Sequence, residues 1–207
     1  MMGPMDYRRS VEALIPGVQG RVLGVLARTS ADLTMRAVAE LAGVSPQQAS
    51  VVIGRLVHLG VVERRDVPPA SLVRLARDNL AAQGVIGIAN LRQAALDRMT
   101  VLAVDIRPAP SSLVVFGSFA RGEAGPESDV DVLAVRPAGA TDEWTDSLGR
   151  WADLATRALG SPVNLIEVAA DEFPALVTGS GPSVWKDAAR EGILIAGSQL
   201  TELAKAA

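Results

Sequence analysis

The alternation Asp129-Val130-Asp131-Val132, leading into Leu133-Ala134-Val135, is the feature that most constrains how this chain can fold. A strand displays alternate residues on one face. Val130 and Val132 therefore point into a core, and Asp129 and Asp131 share the other side. Two neighbouring carboxylates repel unless a cation lies between them. Such a pair suits a divalent metal, and Mg²⁺ typically binds through one or two carboxylates plus substrate phosphates. Upstream, the apolar run Leu113–Phe116 ends in Gly117-Ser118. That turn allows close backbone approach and offers amide or hydroxyl donors to phosphate. Separately, the halves fit a solvated edge strand and an ordinary turn. Together, between two predicted strands, they point to metal-dependent nucleotidyl transfer.

The full segment, FGSFARGEAGPESDVDV over residues 116–132, resembles the signature of the DNA polymerase beta-type nucleotidyltransferase superfamily, Gly-Ser followed by Asp-x-Asp. It looks closest to the minimal branch that includes aminoglycoside nucleotidyltransferases, with similarity extending from Leu113 to Gly197. The resemblance implies that Asp129 and Asp131 are catalytic and hold Mg²⁺, two ions being expected. It also implies that Gly117 and Ser118 bind the β- and γ-phosphates of a nucleoside triphosphate, ATP being the expected one. Arg121 is a candidate for further phosphate neutralisation, with a salt bridge to Glu123 or Glu127 as the alternative. Ser128 joins the nucleotide-binding set as a brace of the turn into the strand.

The family usually adds a third carboxylate on the next strand, here Val163–Val168, and the aligned residue is Asn164. An amide can ligate Mg²⁺ but is a poor general base. Glu167 is charged but falls on the opposite face from Asn164 unless a bulge intervenes. Asp171 and Glu172 lie just beyond. Nucleotide binding needs only the first acid pair and the Gly-Ser turn.

The N-terminal part has a different pattern. Val22, Leu23, Val25 and Leu26 share a helical face. Thr34 is positioned to cap a helix over Met35–Leu41, closed by Gly43. Ser45-Pro46 is a helix start signal, and the helix that follows turns Ala49, Val52, Ile53, Leu56 and Val57 inward before Gly60. Two short strands, Val61–Arg64 and Ser71–Leu75, flank the turn-rich Asp66-Val67-Pro68-Pro69. The stretch TMRAVAELAGVSPQQASVVIGRLVHLGVVERR looks like winged helix-turn-helix repressors of the MarR and ArsR kind, over residues 18–77. A recognition helix reads base edges near its N-terminus. The candidates are Ser45, Gln47, Gln48 and Ser50, with Arg55 a turn further on. Gln can bond adenine in a bidentate manner. Arg64 and Arg65 at the wing base, with Arg36, are candidate phosphate contacts. Winged helices also mediate protein contacts, so that alternative stands. His58 reads as a flanking residue.

The chain is expected to be α+β. Residues 10–77 would form the winged helix-turn-helix, 78–110 a helical connector, and 111–207 a nucleotidyltransferase-like mixed β-sheet flanked by helices. Trp144, Leu148, Trp151, Leu154 and Ala155 are expected on the buried side of a helix over Thr141–Leu159. With no cysteine and one histidine, disulfides and thiolate metal sites are excluded and a zinc centre is disfavoured. No run of apolar residues is long enough to span a bilayer, and no signal-peptide pattern opens the chain, so a cytoplasmic protein without membrane contact is expected. Residues 1–78 carry 10 Arg and 7 Asp/Glu, whereas residues 79–207 carry 10 Lys/Arg and 16 Asp/Glu. A basic front and an acidic back fit two modules with different partners: double-stranded DNA and a nucleoside triphosphate.

The leading expectation is a DNA-binding protein whose nucleotidyltransferase-like domain binds NTP and transfers NMP to an acceptor hydroxyl. The alternative is a transcriptional regulator whose catalytically impaired domain is a nucleotide sensor or interaction module. A scaffold in which both modules contact proteins is the third. A homodimer is expected by analogy with regulators that read two half-sites.

Overall fold

The computed structural model describes residues 5–179 and 182–205. The described residues form two compact units, one over residues 9–91 and the other comprising those from 92 onward together with residues 5–8.

In the first unit, α1 (Ser10–Leu14) and α2 (Val18–Ala27) precede β1 (Leu33–Thr34), α3 (Met35–Leu41) and α4 (Pro46–His58). β2 (Val62–Val67), β3 (Ala70–Leu75) and α5 (Leu80–Ala89) follow. Local chemistry sets the boundaries. Thr34 Oγ1 accepts from the Ala37 amide at 3.1 Å and starts α3. A reciprocal capping box starts α4: Ser45 Oγ accepts from the Gln48 amide, and Gln48 Oε1 accepts from the Ser45 amide. Ala49, Ile53 and Leu56 recur at helical spacing and are all but fully buried. They pack with Val22, Leu23, Leu26, Val38, Val73 and Leu75 in one core. β2 and β3 form an antiparallel hairpin, and β1 adds to β3 to give the order β1-β3-β2. This is a winged helix-turn-helix. The glycine-interrupted stretch Gly84–Ile88 is helical within α5, where burial of Ala82 and Val85 offsets the poor helix propensity of glycine.

The second unit runs α6 (Leu91–Ala103), β4 (Ser112–Phe116), α7 (Gly117–Arg121), β5 (Val130–Arg136) and α8 (Asp142–Leu159). It continues with β6 (Val163–Ala169), α9 (Phe173–Thr178), α10 (Val184–Glu191), β7 (Ile193–Gly197) and α11 (Leu200–Leu203). Residues 78–110 are thus divided, α5 closing the first unit and all but the first residue of α6 belonging to the second. The sheet has the order β6-β5-β4-β7, with β5 and β6 parallel and the other pairs antiparallel. One face, including Leu113, Val115, Val130 and Val132, packs with residues of α6 and α8. The other, including Val114, Phe116, Leu133 and Val135, packs with residues of α9, α10 and α11. Cover on both faces explains why all five residues of β4 are buried without alternation. The edge-strand alternative for Asp129–Val132 is removed, since β5 is an inner strand.

Trp144 and Trp151 are core residues, at 0% and 2% exposure. Trp151 Nε1 donates to the Met99 carbonyl at 3.1 Å. Leu154, expected beside them, is instead 43% exposed. Ten residues of helix after Trp144 place it roughly 80° from the Trp144 direction, off the buried stripe. No described helix is long and apolar enough to cross a membrane.

Candidate functional site

The antiparallel pairing of β4 with β5 brings the two halves of the motif together. Asp131 lies opposite Phe116, the last residue of β4, so the start of β5 adjoins the Gly117-Ser118 turn. Val130 and Val132 are fully buried, leaving Asp131 half-buried and Asp129 exposed at the end of the sheet. Gly117 adopts φ 70°, and a Cβ there would stand 3.0 Å from Asp131 Oδ2. Any other residue would be strained and would press on the carboxylate, so glycine here is a requirement of the acid beside it. Ser118 follows, half-buried in the first turn of α7.

On the other side of β5, parallel pairing sets Asp131 directly against Asn164. Asn164 Nδ2 donates to Asp131 Oδ1 at 3.0 Å. The residue aligned with the family's third acid is therefore a neutral donor to the second acid. β5 and β6 stay in continuous register from Val130↔Val163 to Arg136↔Ala169, without a bulge. Glu167 remains on the opposite face from Asn164, in an ion pair with Arg136 at 3.4 Å. Asp171 and Glu172 follow the far end of β6, about 16 Å along the strand from Asn164, and take no part. Among the described residues, no group of three or more His, Cys, Asp or Glu could hold a metal ion. Two carboxylates beside the Gly117-Ser118 turn still fit Mg²⁺ that would complete its shell with substrate phosphate and water.

Arg121 ends α7 and is engaged by two carboxylates. Nε donates to Glu123 Oε2 at 2.8 Å and Nη1 to Glu191 Oε1 at 2.5 Å. The hydrogen bond to Glu123, then that to Glu191, raises the Arg121 pKa further. Of the two partners expected from sequence, Glu123 is found here; Glu191 comes from α10. Ser128 Oγ accepts from the Gly125 amide at 3.0 Å, bracing the turn that delivers Asp129. Sequence reasoning missed Arg92. From α6 its guanidinium donates to the Phe119 carbonyl at 2.7 Å and to the Ala120 carbonyl. No local motif connects it with residues so far along the chain.

In the winged-helix unit, Ser45, Gln47, Gln48, Ser50 and Arg55 are all exposed on α4, and Arg36 is exposed on α3. The capping box occupies Ser45 Oγ and Gln48 Oε1. At the wing, Arg64 bonds Asp66 and Ser71, Arg65 bonds Asp32 at 2.8 Å, and Arg74 bonds Glu63 at 2.8 Å. The Ser71 hydroxyl and then the Arg64 guanidinium hold the Asp66 carboxyl below its usual range. The wing base is therefore a lattice of alternating charges, and sequence alone did not reveal Asp32 as the partner of Arg65.

Two family models match the chain. Residues 15–70 match the MarR family, and residues 102–195 match the nucleotidyltransferase domain. The chain joins a MarR-like winged helix-turn-helix to a nucleotidyltransferase domain. Among solved structures, a toxin–antitoxin with AMP-PNP is 21% identical, over 53% of this chain and 80% of that one, with a TM-score of 0.38. The toxin–antitoxin MntA-HpeT mutant is 19% identical over the same shares, with a TM-score of 0.37. No curated protein matches.

Proposed function

We propose that this fusion is a DNA-binding regulator whose nucleotidyltransferase domain senses a nucleoside triphosphate, ATP being the expected one. Asp129 and Asp131 would hold Mg²⁺, and Gly117, Ser118 and Arg121 would take the phosphates, with Ser128 fixing the turn. Bound Mg²⁺ would neutralise phosphate charge. The observation that carries the choice of sensor over enzyme is the hydrogen bond from Asn164 to Asp131. In nucleotidyl transfer an acceptor oxygen attacks the α-phosphorus, the bond to pyrophosphate breaks, and the acceptor's proton must be taken up. Asn164 is neutral and already committed as a donor, and Glu167 is paired to Arg136 on the other face. Binding keeps its groups; proton removal lacks one.

The enzyme reading, NMP transfer to an acceptor hydroxyl, is favoured by the intact acid pair beside the turn. For DNA, Gln47, Gln48, Ser45, Ser50 and Arg55 would meet base edges, and Arg36, Arg64 and Arg65 would meet phosphates. A symmetric homodimer would present two such helices to two half-sites.

The test incubates the full chain with each Mg²⁺·NTP, labelled at the α-phosphate, with a broad set of acceptors including the chain itself. Binding without transfer, lost in Asp129→Ala/Asp131→Ala, is the expected result. Label transfer abolished by that double substitution would establish the enzyme instead. A genomic fragment screen showing no salt-dependent DNA binding would end the regulator reading.

A further inference from the structure

The helix that carries the phosphate turn cannot hold itself. α7 has five residues, a single turn too short to be stable alone. It begins at one glycine in the left-handed region, Gly117 at φ 70°, and is capped by another, Gly122 at φ 76°. Both ends therefore have unusual backbone freedom, and the direction in which Gly117 and Ser118 present their donors must be fixed from outside.

Besides the bond from Arg121 to Glu191 of α10, two segments distant in sequence supply that restraint. Arg92 sends one arm of its guanidinium to the Phe119 carbonyl at 2.7 Å and another to the Ala120 carbonyl. These carbonyls lie in the last turn of α7, where a helix leaves acceptors short of intrahelical partners; the Phe119 carbonyl also accepts from the Gly122 amide at 3.1 Å. The planar fork bonds both carbonyls at once, and a cation at a helix C-terminus is favoured by the dipole. The segment before Arg9 grips the same place. The Tyr7 ring meets the fully buried Phe119 ring edge-on at 4.9 Å, and the Arg8 amide donates to the Ala124 carbonyl at 3.1 Å. Tyr7 is itself anchored by its hydroxyl, which donates to the Leu159 carbonyl at 2.6 Å.

We propose that Arg92 is a positioning residue of the nucleotide site, fixing α7 so that Gly117 and Ser118 face the triphosphate. It does not touch the nucleotide. The inference rests on the nucleotide-binding reading above and adds to it a residue that no motif contains. Because the restraint acts on the phosphate turn, its loss is felt by any ligand with a phosphate chain, whatever base that ligand carries. Lysine keeps the charge but lacks the fork, so it restores the restraint in part.

The experiment titrates the full chain, by calorimetry, with Mg²⁺·AMP-PNP and separately with Mg²⁺·tripolyphosphate, and records thermal unfolding of each variant. Arg92→Ala is expected to weaken both ligands about tenfold, the scale of a lost charge-assisted hydrogen bond. Arg92→Lys is expected to fall between it and the wild type. Hydrogen exchange of the α7 amides should rise in Arg92→Ala while β4 and β5 stay protected. Undiminished binding of both ligands by a folded Arg92→Ala overturns the proposal. So does a loss confined to AMP-PNP, which would place the effect at the nucleoside. If Arg92→Ala fails to fold, Arg92→Lys decides: unchanged affinity overturns, a partial loss with α7 exchange supports. A wild type that binds neither probe removes the nucleotide reading itself, and the proposal with it.

Discussion

Replacing Asn164 by Asp tests the reasoning about the site most directly. In the wild type the amide nitrogen lies 3.0 Å from Asp131 Oδ1, an attractive contact. Aspartate there turns the donor into a second acceptor, with two carboxylates about 4 Å apart between charge centres. Coulomb repulsion at that separation is about 1 kcal/mol in water and about 4 kcal/mol at the effective dielectric of a protein surface. Asn164 is exposed, so the lower part of that range applies, about 1–2 kcal/mol with the lost hydrogen bond included. For a unit of this size the metal-free variant should melt about 3–8 °C below the wild type. Millimolar Mg²⁺ should recover that loss, because the cation takes up the charge that caused it. Differential scanning fluorimetry with and without Mg²⁺ reads the first half. Transfer of α-phosphate label reads the second: Asn164→Asp should gain turnover over the wild type. An unchanged melting temperature in the absence of metal would refute the geometry. A wild type that transfers NMP as fast as the variant would refute the assignment of Asn164 as the missing base.

Other outcomes follow from the charge pairs. Glu191→Gln takes one of two carboxylates from Arg121 and should tighten Mg²⁺·AMP-PNP binding several-fold, by calorimetry; no change would separate Arg121 from the phosphates. Asp32→Asn releases Arg65 and loosens Arg74, so DNA affinity should rise for all sequences alike. The slope of log K against log salt should steepen by about one unit, measured by fluorescence anisotropy. Tyr7, the one tyrosine in the chain, has its pKa pushed up to about 12 by burial. The folded state then keeps its proton where the unfolded state, near 10, loses it, so the stabilisation present below pH 10 is lost between pH 10 and 12. Phenolate absorbance should show the raised midpoint, and Tyr7→Phe should flatten the alkaline fall in stability; a midpoint near 10 in folded protein would contradict the burial.

What was legible in the sequence was local. Thr34, Ser45-Pro46 and Gly60 act on neighbours within a turn, and the helix boundaries they imply match those of α3 and α4. The alternation at Asp129–Val132 needed only the period of a strand, and Val130 and Val132 are both fully buried. Asn164 was legible as an absence only through the family resemblance, and parallel pairing sets it against Asp131. The contacts that hold the site were not legible. Arg92 reaches Phe119 across 27 positions, Glu191 reaches Arg121 across 70, and Asp32 meets Arg65 across 33. No periodicity encodes such pairs; they exist only once the elements are packed. Leu154 failed for a narrower reason, because an apolar residue off the buried stripe looks in sequence like one on it.

These ion pairs change how the phosphate-directed arginines should be understood. Of the four arginines expected at phosphates, Arg64, Arg65 and Arg121 are each bonded to a carboxylate of their own unit, while Arg36 is exposed on α3. A phosphate arriving at either site therefore exchanges one ion pair for another rather than neutralising a bare charge. Exposed pairs are individually weak, so the exchange is permitted, but the net electrostatic gain per arginine is small. On the proposed reading, discrimination would then come from groups that are not charge-compensated: side chains such as Gln47 and Ser50 toward bases, and the acid pair and the Gly117-Ser118 turn toward Mg²⁺ and triphosphate. Modest affinity with most of its selectivity in neutral or metal-linked contacts suits a reversible sensor, whose ligand must leave when its concentration falls. An enzyme with the same acid pair would instead need the third acid that Asn164 replaces.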